Sequence, residues 1–385
     1  MSYISIDNFV SVSVSSPSAG FADYQVNNLA IFTKETPHNN TITAANPGIY
    51  VSPTDVATDW ESTSEVYAMA NLIFGQSPNI LDGSGSLIIS PMQSVDLLKD
   101  VIPALLPIVF FGGALWAGYD PTDAEILAAG GACEPLRVKL FASGHATSDM
   151  TTTTGILWKL VHASYKHSRP LLYLGATPSA LLARSFAAAY AGRAMSVNFS
   201  GSKTTATMHG KSLTGITPDS AITQTYLNTA QTVGVDIYPS VGGGAQYLGK
   251  VFCSGVNDFF DNVYNLDWLV FALQVAGFNA LMTTATKLPQ TEPGMAVLKG
   301  AYLGVLQQAI ANQFVAPGVW NSSELFGVPA DLKRCILDVG YYMYSLPVNQ
   351  QTQANRVARK APIVQIAIKY AGAIHSSNVI VSVNA

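Results

Sequence analysis

From Asn28 to Ser240 the chain alternates short apolar runs of strand type with segments of helical spacing, and this rhythm limits the fold more than any other feature. The strand-type runs are "NLAIFTKE" (28–35), "GSGSLIIS" (83–90), "EPLRVKLFAS" (134–143), "RPLLYLGA" (169–176) and "VDIYP" (235–239). Among the helical segments, "TTGILWKLVHASYKH", "PSALLARSFAAAYAGRA" and "DSAITQTYLNTAQTVG" fall between or beside the later runs. Strands that alternate with helices pack as a mostly parallel sheet covered by helices. The expected class is therefore α/β, mixed with α+β elements towards the ends of the chain.

Local signals refine the reading. Ser52-Pro53 is a helix start, Val56 and Trp60 lie one turn apart, and Val66, Met69, Ala70, Ile73 and Phe74 continue with helical spacing, so two helices broken near Ser62 are expected. The apolar run "VIPALLPIVFFGGALWAG" (101–118) reads as a buried strand with adjoining turns. Pro103, Pro107 and the Gly112-Gly113 pair break it as a membrane span, and no Lys/Arg asymmetry flanks it. Later come two long helices, "NLDWLVFALQVAGFNALM" and "PGMAVLKGAYLGVLQQAIANQF", then the strand "VGYYMYSLP" and the polar linker "NQQTQANRVARK". The spans 1–20, 21–210, 211–348 and 349–385 are the expected portions of the chain.

Composition bears on the surface. Charged residues make up 11% of the chain, against about 25% in an ordinary globular protein, while 49% is hydrophobic. A chain this poor in charge covers its surface with other subunits or with lipid, and the only candidate span is interrupted. The net charge is −4, and the longest basic cluster is Arg356, Arg359 and Lys360. That is too small for a phosphate-neutralising face, so nucleic acid is not an expected partner. The N-terminus has neither a basic n-region nor a continuous apolar core of a secretory signal, and the three widely spaced cysteines form no framework or metal pattern.

Both ends are written as strands. Ile4 and Ile6, then Val10, Val12 and Val14, alternate with polar residues ahead of Pro17 and Gly20. In "IVQIAIKY", Val364, Ile366, Ile368 and Tyr370 share one face, and Val379, Val381 and Val383 alternate again at the end. Burying four such side chains contributes about 6–12 kcal/mol, whereas ordering eight residues costs about 8–16 kcal/mol. These strands need a sheet supplied by the body or by a neighbour. Twenty extended residues reach on the order of 65 Å, far enough to add a strand to another copy.

Chemistry-bearing motifs are weak. "GAQYLGKV" fits a phosphate loop up to Lys250, but Val251 stands where Ser or Thr is required, and a glycine-rich hairpin is the expected structure. His145, with Asp149 nearby, is a loop histidine without a visible nucleophile; His162 and His167 are five apart, poor spacing for a shared metal. Asp258, Asp261 and Asp267 read as capping residues at a helix start. No cofactor is expected, and the chain does not read as an enzyme.

In order along the chain, "LTGITPDSAIT", "GVDIYPSVGGG", "GKVFCSGVNDFFDNVYNLDWL", "TEPGMAVLKGA", "APGVW" and "ADLKRCILDVGYYMYSLP…NRVARKAPIVQIAIKYAGAIHSSNVIVSV" resemble the contractile tail sheath proteins of myophages. The likeness spans nearly the whole chain and is strongest from Thr214 onward. It implies a sheath-type α/β body with extended N- and C-terminal strand arms, in which residues 21–210 form an outer portion and 211–348 an inner one. It also implies a helical homopolymer of hexameric rings around a tail tube protein, with baseplate and tail terminator proteins as further partners, in a virion tail assembled in the host cytoplasm. On that reading residues 4–14 are an arm, the strands at 363–370 and 379–383 receive or donate at the shared sheet, and Asp331, Lys333, Arg334 and Asp338 form a candidate tube-facing helix. The competing readings are another structural phage component, such as a tail tube or capsid protein, and a soluble α/β enzyme using His145.

Overall fold

The computed structural model describes residues 24–243, 246–282, 284, 286–377 and 379. The arm residues Ile4, Ile6, Val10, Val12 and Val14, together with Val381 and Val383, lie outside the described residues.

In the first part of the chain, strands β1 (Leu29–Thr33) and β2 (Gly48–Tyr50) lead to helices α1 (Pro53–Asp59) and α2 (Glu65–Phe74). Ser52 Oγ accepts from Asp55 N and Ser64 Oγ accepts from Tyr67 N, so each helix begins on a serine cap, and the break falls near Ser62 as expected. Next come β3 (Leu87–Pro91), α3 (Leu98–Leu105) and β4 (Gly113–Ala117). The apolar run at 101–118 is thus the end of one helix, a turn and a buried strand. No helix among the described residues is long and apolar enough to cross a membrane.

Helix α4 (Asp123–Leu136) and strand β5 (Lys139–Gly144) follow. The run "EPLRVKLFAS" is therefore strand only from Lys139, because α4 continues through Pro135 and ends with Arg137 in the left-handed region at φ 57°. After α5 (Thr147–Thr151), α6 (Ile156–His162), β6 (Ser168–Leu172) and α7 (Ala180–Ala194) come α8 (Gln224–Val233), stopped by Gly234, and β7 (Asp236–Ile237). The hairpin β8 (Ser240–Gly243) and β9 (Gln246–Gly249) occupies the would-be phosphate loop.

These strands form a seven-stranded sheet in the order β2-β3-β1-β4-β5-β6-β7. All neighbours are parallel except the edge strand β2. The inner strands are buried on both faces, which is why they read as continuous apolar runs rather than alternating ones. One core runs from Val26 to Phe271 and takes in Leu213, Ala230, Ile237 and Val251, so it continues across residue 211.

The rest of the chain builds a second, smaller unit. Its elements are α9 (Phe260–Met282), α10 (Glu292–Ala311), α11 (Pro329–Val339), β10 (Tyr341–Ser345), α12 (Gln353–Val357) and β11 (Val364–Ile368). The expected polar linker is thus partly helical. Helix α9 belongs to both units: Phe260, Tyr264 and Phe271 lie in the sheet's core, while Leu269 and Leu273 lie in the core of the second unit with Met295, Leu298 and Leu306.

Candidate functional site

In an open parallel sheet, ligands enter the crevice at the carboxyl ends of the strands where the winding reverses. Here that position lies between β1 and β4, and the protein's own side chains occupy it. Glu35 accepts from the backbone N–H groups of Glu65 and Val66, and Glu65 Oε2 accepts from Gly118 N at 3.0 Å. Arg184, 7% exposed, grips Glu65 through Nε and Nη2 and also pairs with Asp120. A Cβ on Gly118 would come within 2.4 Å of Glu35 Cγ, so the backbone just after β4 approaches that side chain as closely as glycine allows. The crevice is a structural ion network. His145, at the rim of a neighbouring hollow, donates its backbone N–H to Asp149, which serves as a cap for α5. Lys250 donates to Ser212 Oγ beside the β8–β9 hairpin, and no helix follows it to hold phosphate.

A second buried network ties the sheet to α9. Asp267, 1% exposed, meets Lys139 Nζ at 2.5 Å, Arg137 Nη1 at 2.9 Å and the His167 ring. Glu134 approaches the other ring nitrogen of His167 at 3.1 Å. Burial acts to raise the Asp267 carboxyl pKa, but Lys139 and His167 hold it well below the carboxylate range. Burial likewise pulls His167 down, and Asp267 and Glu134 more than reverse this, so its pKa is raised. Lys139 is lowered by burial, which outweighs the favourable charge of Asp267. Asp267 is therefore not a capping residue at a helix start; it sits on the third turn of α9. Asp258 does sit at the start, accepting from Phe259 N and Asn262 Nδ2. A lysine beginning the strand "KLFAS" and an aspartate within "NLDWLVFALQ" were the available signals for this pair.

Further contacts fix the second unit to the body. Asn312, fully buried, donates to Phe199 O, Gln308 donates to Phe199 O and Gly201 O, and Lys203 N donates to Ala311 O. Phe199 stacks on Trp268 of α9 at 4.7 Å.

On this support sits the antiparallel pair β10–β11, with Tyr341 opposite Ile368 and Ser345 opposite Val364. Tyr341, Met343, Val364, Ile366 and Ile368 pack on α9 and α10, with Tyr370 stacked on Phe314; Tyr342 and Ala367 face Leu332 and Ile336 of α11. Gly340 makes the turn into β10 possible: it holds φ 87°, and a Cβ there would lie 2.6 Å from the Ala316 carbonyl. Lys369 N donates to Gly340 O, which fixes the parity of the ladder. Residues 365 and 367 of β11 and 342 and 344 of β10 then turn their backbone groups inward. Those of Val364, Ile366 and Ile368, and of Tyr341, Met343 and Ser345, point away from the pair. Among the described residues this is a two-stranded sheet with no third strand on either long edge.

The sequence-selected residues fall around this sheet. Val364, Ile366, Ile368 and Tyr370 lie on or beside β11, paired within their own chain, and Val379 is 81% exposed. Lys333, Arg334 and Asp338 line the exposed face of α11, and Asp331 pairs with Arg334 at 3.0 Å. Large apolar side chains are exposed around them, among them Leu337, Val339, Leu346, Val357 and Ile363.

The chain is thus a mostly parallel α/β body joined through α9 to a small unit that carries an open two-stranded sheet. The described chain matches the sheath of an extracellular contractile injection system, the PVC sheath complex in its contracted state, with TM-score 0.59 and 12% identity over 99% of this chain and 96% of that one. Residues 260–383, the second unit, match the family described as E217 tail sheath protein gp31-like, C-terminal domain. No curated protein sequence matches the chain. The overall fold is that of a contractile sheath protein, and the second unit is similar to the tail sheath family.

Proposed function

We propose that the protein is the subunit of a contractile phage tail sheath, polymerising as stacked hexameric rings around a tail tube and driving that tube through a host envelope when it contracts. The observation that carries the assembly reading is the open-edged β10–β11 sheet. An unpaired edge is a template for another strand, and strand addition uses main-chain hydrogen bonds that survive reorientation of the bodies around them. The strand-type segment at residues 4–14 of one copy and that at 379–383 of another are the arms that fill the two edges. Residues 364–368 act on this reading as the host strand.

Surface chemistry supports the same reading. Only 11% of residues are charged, and Arg137, Lys139, Arg169, Arg184, Asp219, Asp236 and Asp267 are withdrawn into the interior. What remains outside is poor in charge and carries exposed apolar residues near the second unit, as a surface covered by other copies does. Lys333 and Arg334 on α11, with Asp331 and Asp338, are the candidate contact with the tube. Baseplate and terminator proteins would cap the polymer in the assembled virion.

Deletion of residues 1–15 tests the arm. The expected product is a folded subunit that forms no long tubes in negative-stain micrographs, while the full chain does. Normal tubes from the truncated chain would refute the role of the N-terminal arm.

A further inference from the structure

The segment that follows β11 roofs a cavity of about 440 Å³ between the two units. Its floor is the start of α9, with Asp261 and Asn265; Ile310, Phe314, Val315 and Pro317 form apolar walls, and residues 371–373 close it above. Two polar groups in it are left wanting. Asn265 is 3% exposed, and its Oδ1 accepts no hydrogen bond among the described residues. Asp261 forms no ion pair among the described residues. Burial pushes its carboxyl up, only partly offset by its own backbone N–H and by the charges of His375 and Arg169.

A buried acceptor without a donor is costly, and so is a desolvated carboxylate that forms no direct ion pair. Both ask for an occupant that donates N–H bonds and brings positive charge. The walls ask for an alkyl stem, which lysine and arginine have. The volume lies in the range of sites for small organic groups, and no cluster of three or more metal-ligating side chains exists among the described residues.

We propose that this cavity is a socket for the ammonium or guanidinium end of a side chain from a second copy, supplied by its Arg356–Arg359–Lys360 cluster. All three of those residues are exposed, none is in an ion pair among the described residues, and none lines the cavity of its own molecule. Charge complementarity between an empty-handed basic cluster and an acceptor-lined hollow selects the partner. The inference rests on the self-assembly proposed above.

The test compares the polymerisation threshold of the full-length chain, by sedimentation and micrographs, with that of Asp261→Asn and of the triple variant Arg356→Gln, Arg359→Gln, Lys360→Gln. Circular dichroism and melting of the unassembled subunits establish that each variant folds. Each variant is expected to raise the threshold about tenfold, the scale of one charge-assisted hydrogen-bonded pair. The two combined should cost no more than either alone, because they remove one shared contact. Additive losses, or a loss confined to Asp261→Asn, would overturn the assignment, the latter by pointing to a free amine or another cation. If the wild-type chain polymerises and neither variant differs from it, the socket is refuted while the assembly reading stands; a wild-type chain that forms no polymer refutes the assembly reading itself.

Discussion

Lys139 Nζ and Asp267 Oδ2 meet at 2.5 Å, each side chain 1% exposed, and this contact joins the first residue of a central sheet strand to the third turn of the helix that opens the second unit. Two ions removed from water are stabilising only when fully paired, and here Arg137 and His167 complete the set.

Removing one partner should therefore be far worse than removing both. Asp267→Ala is expected to lower the unfolding free energy by about 3–5 kcal/mol, because it removes the carboxylate that the buried Lys139, Arg137 and His167 share. Replacing the pair together, as Asp267→Leu with Lys139→Met, should cost markedly less. Urea denaturation of the wild type, Asp267→Ala and the double variant measures the difference.

The same network sets a pH window. Asp267 has a folded pKa below its ordinary 3.8, so its contribution is present above that value and is lost as pH falls through the depressed one. His167 has a folded pKa above its ordinary 6.5, so its contribution is complete below 6.5 and is lost as pH rises through the raised one. Subunit stability should be greatest between about pH 4 and 6.5 and decline on the alkaline side. In His167→Gln that alkaline decline should shrink, as a series of melts across pH would record.

Backbone parity at β11 yields a paired test. Gln365 turns its N–H inward to β10, so Gln365→Pro removes a ladder bond and should destabilise the subunit itself. Ile366 turns its N–H outward, so Ile366→Pro should leave a folded subunit, weakened by about 1–3 kcal/mol through lost packing, that cannot add a strand. Melting and tube formation, measured on both, should separate in opposite ways.

On α11 the exposed pair Lys333 and Arg334 can be reversed without touching the core residues Leu332 and Ile336. Lys333→Glu with Arg334→Glu is expected to leave subunit melting unchanged. If this face meets the tube, the variant should bind purified tube protein less well at low salt, and the difference should fade as salt rises. Equal binding at low salt would remove α11 from the tube contact.

What could be read from the sequence was local. Ser52-Pro53, the spacing from Val66 to Phe74, and Gly234 as a helix stop announce their elements because caps and periodicity act over a few residues. The order of the sheet strands and the partner of β11 depend on contacts far apart in the chain, which leave no short-range trace. Pro135 looked like the opening of a strand, yet α4 runs through it, and Asp267 looked like a cap because nothing nearby reveals Lys139, more than a hundred residues earlier. The two-stranded sheet was half visible: the alternation of Val364, Ile366 and Ile368 marked a strand, but not that Met343 and its neighbours lie opposite.

Helix α9 has one flank bedded in the large sheet and the other beneath β10 and β11. A torque applied at the small sheet is handed to the body along a single stiff rod pinned by salt links in its third turn. On the assembly proposed above, the give in a contracting lattice is expected at the seams between copies, with each copy turning as one piece.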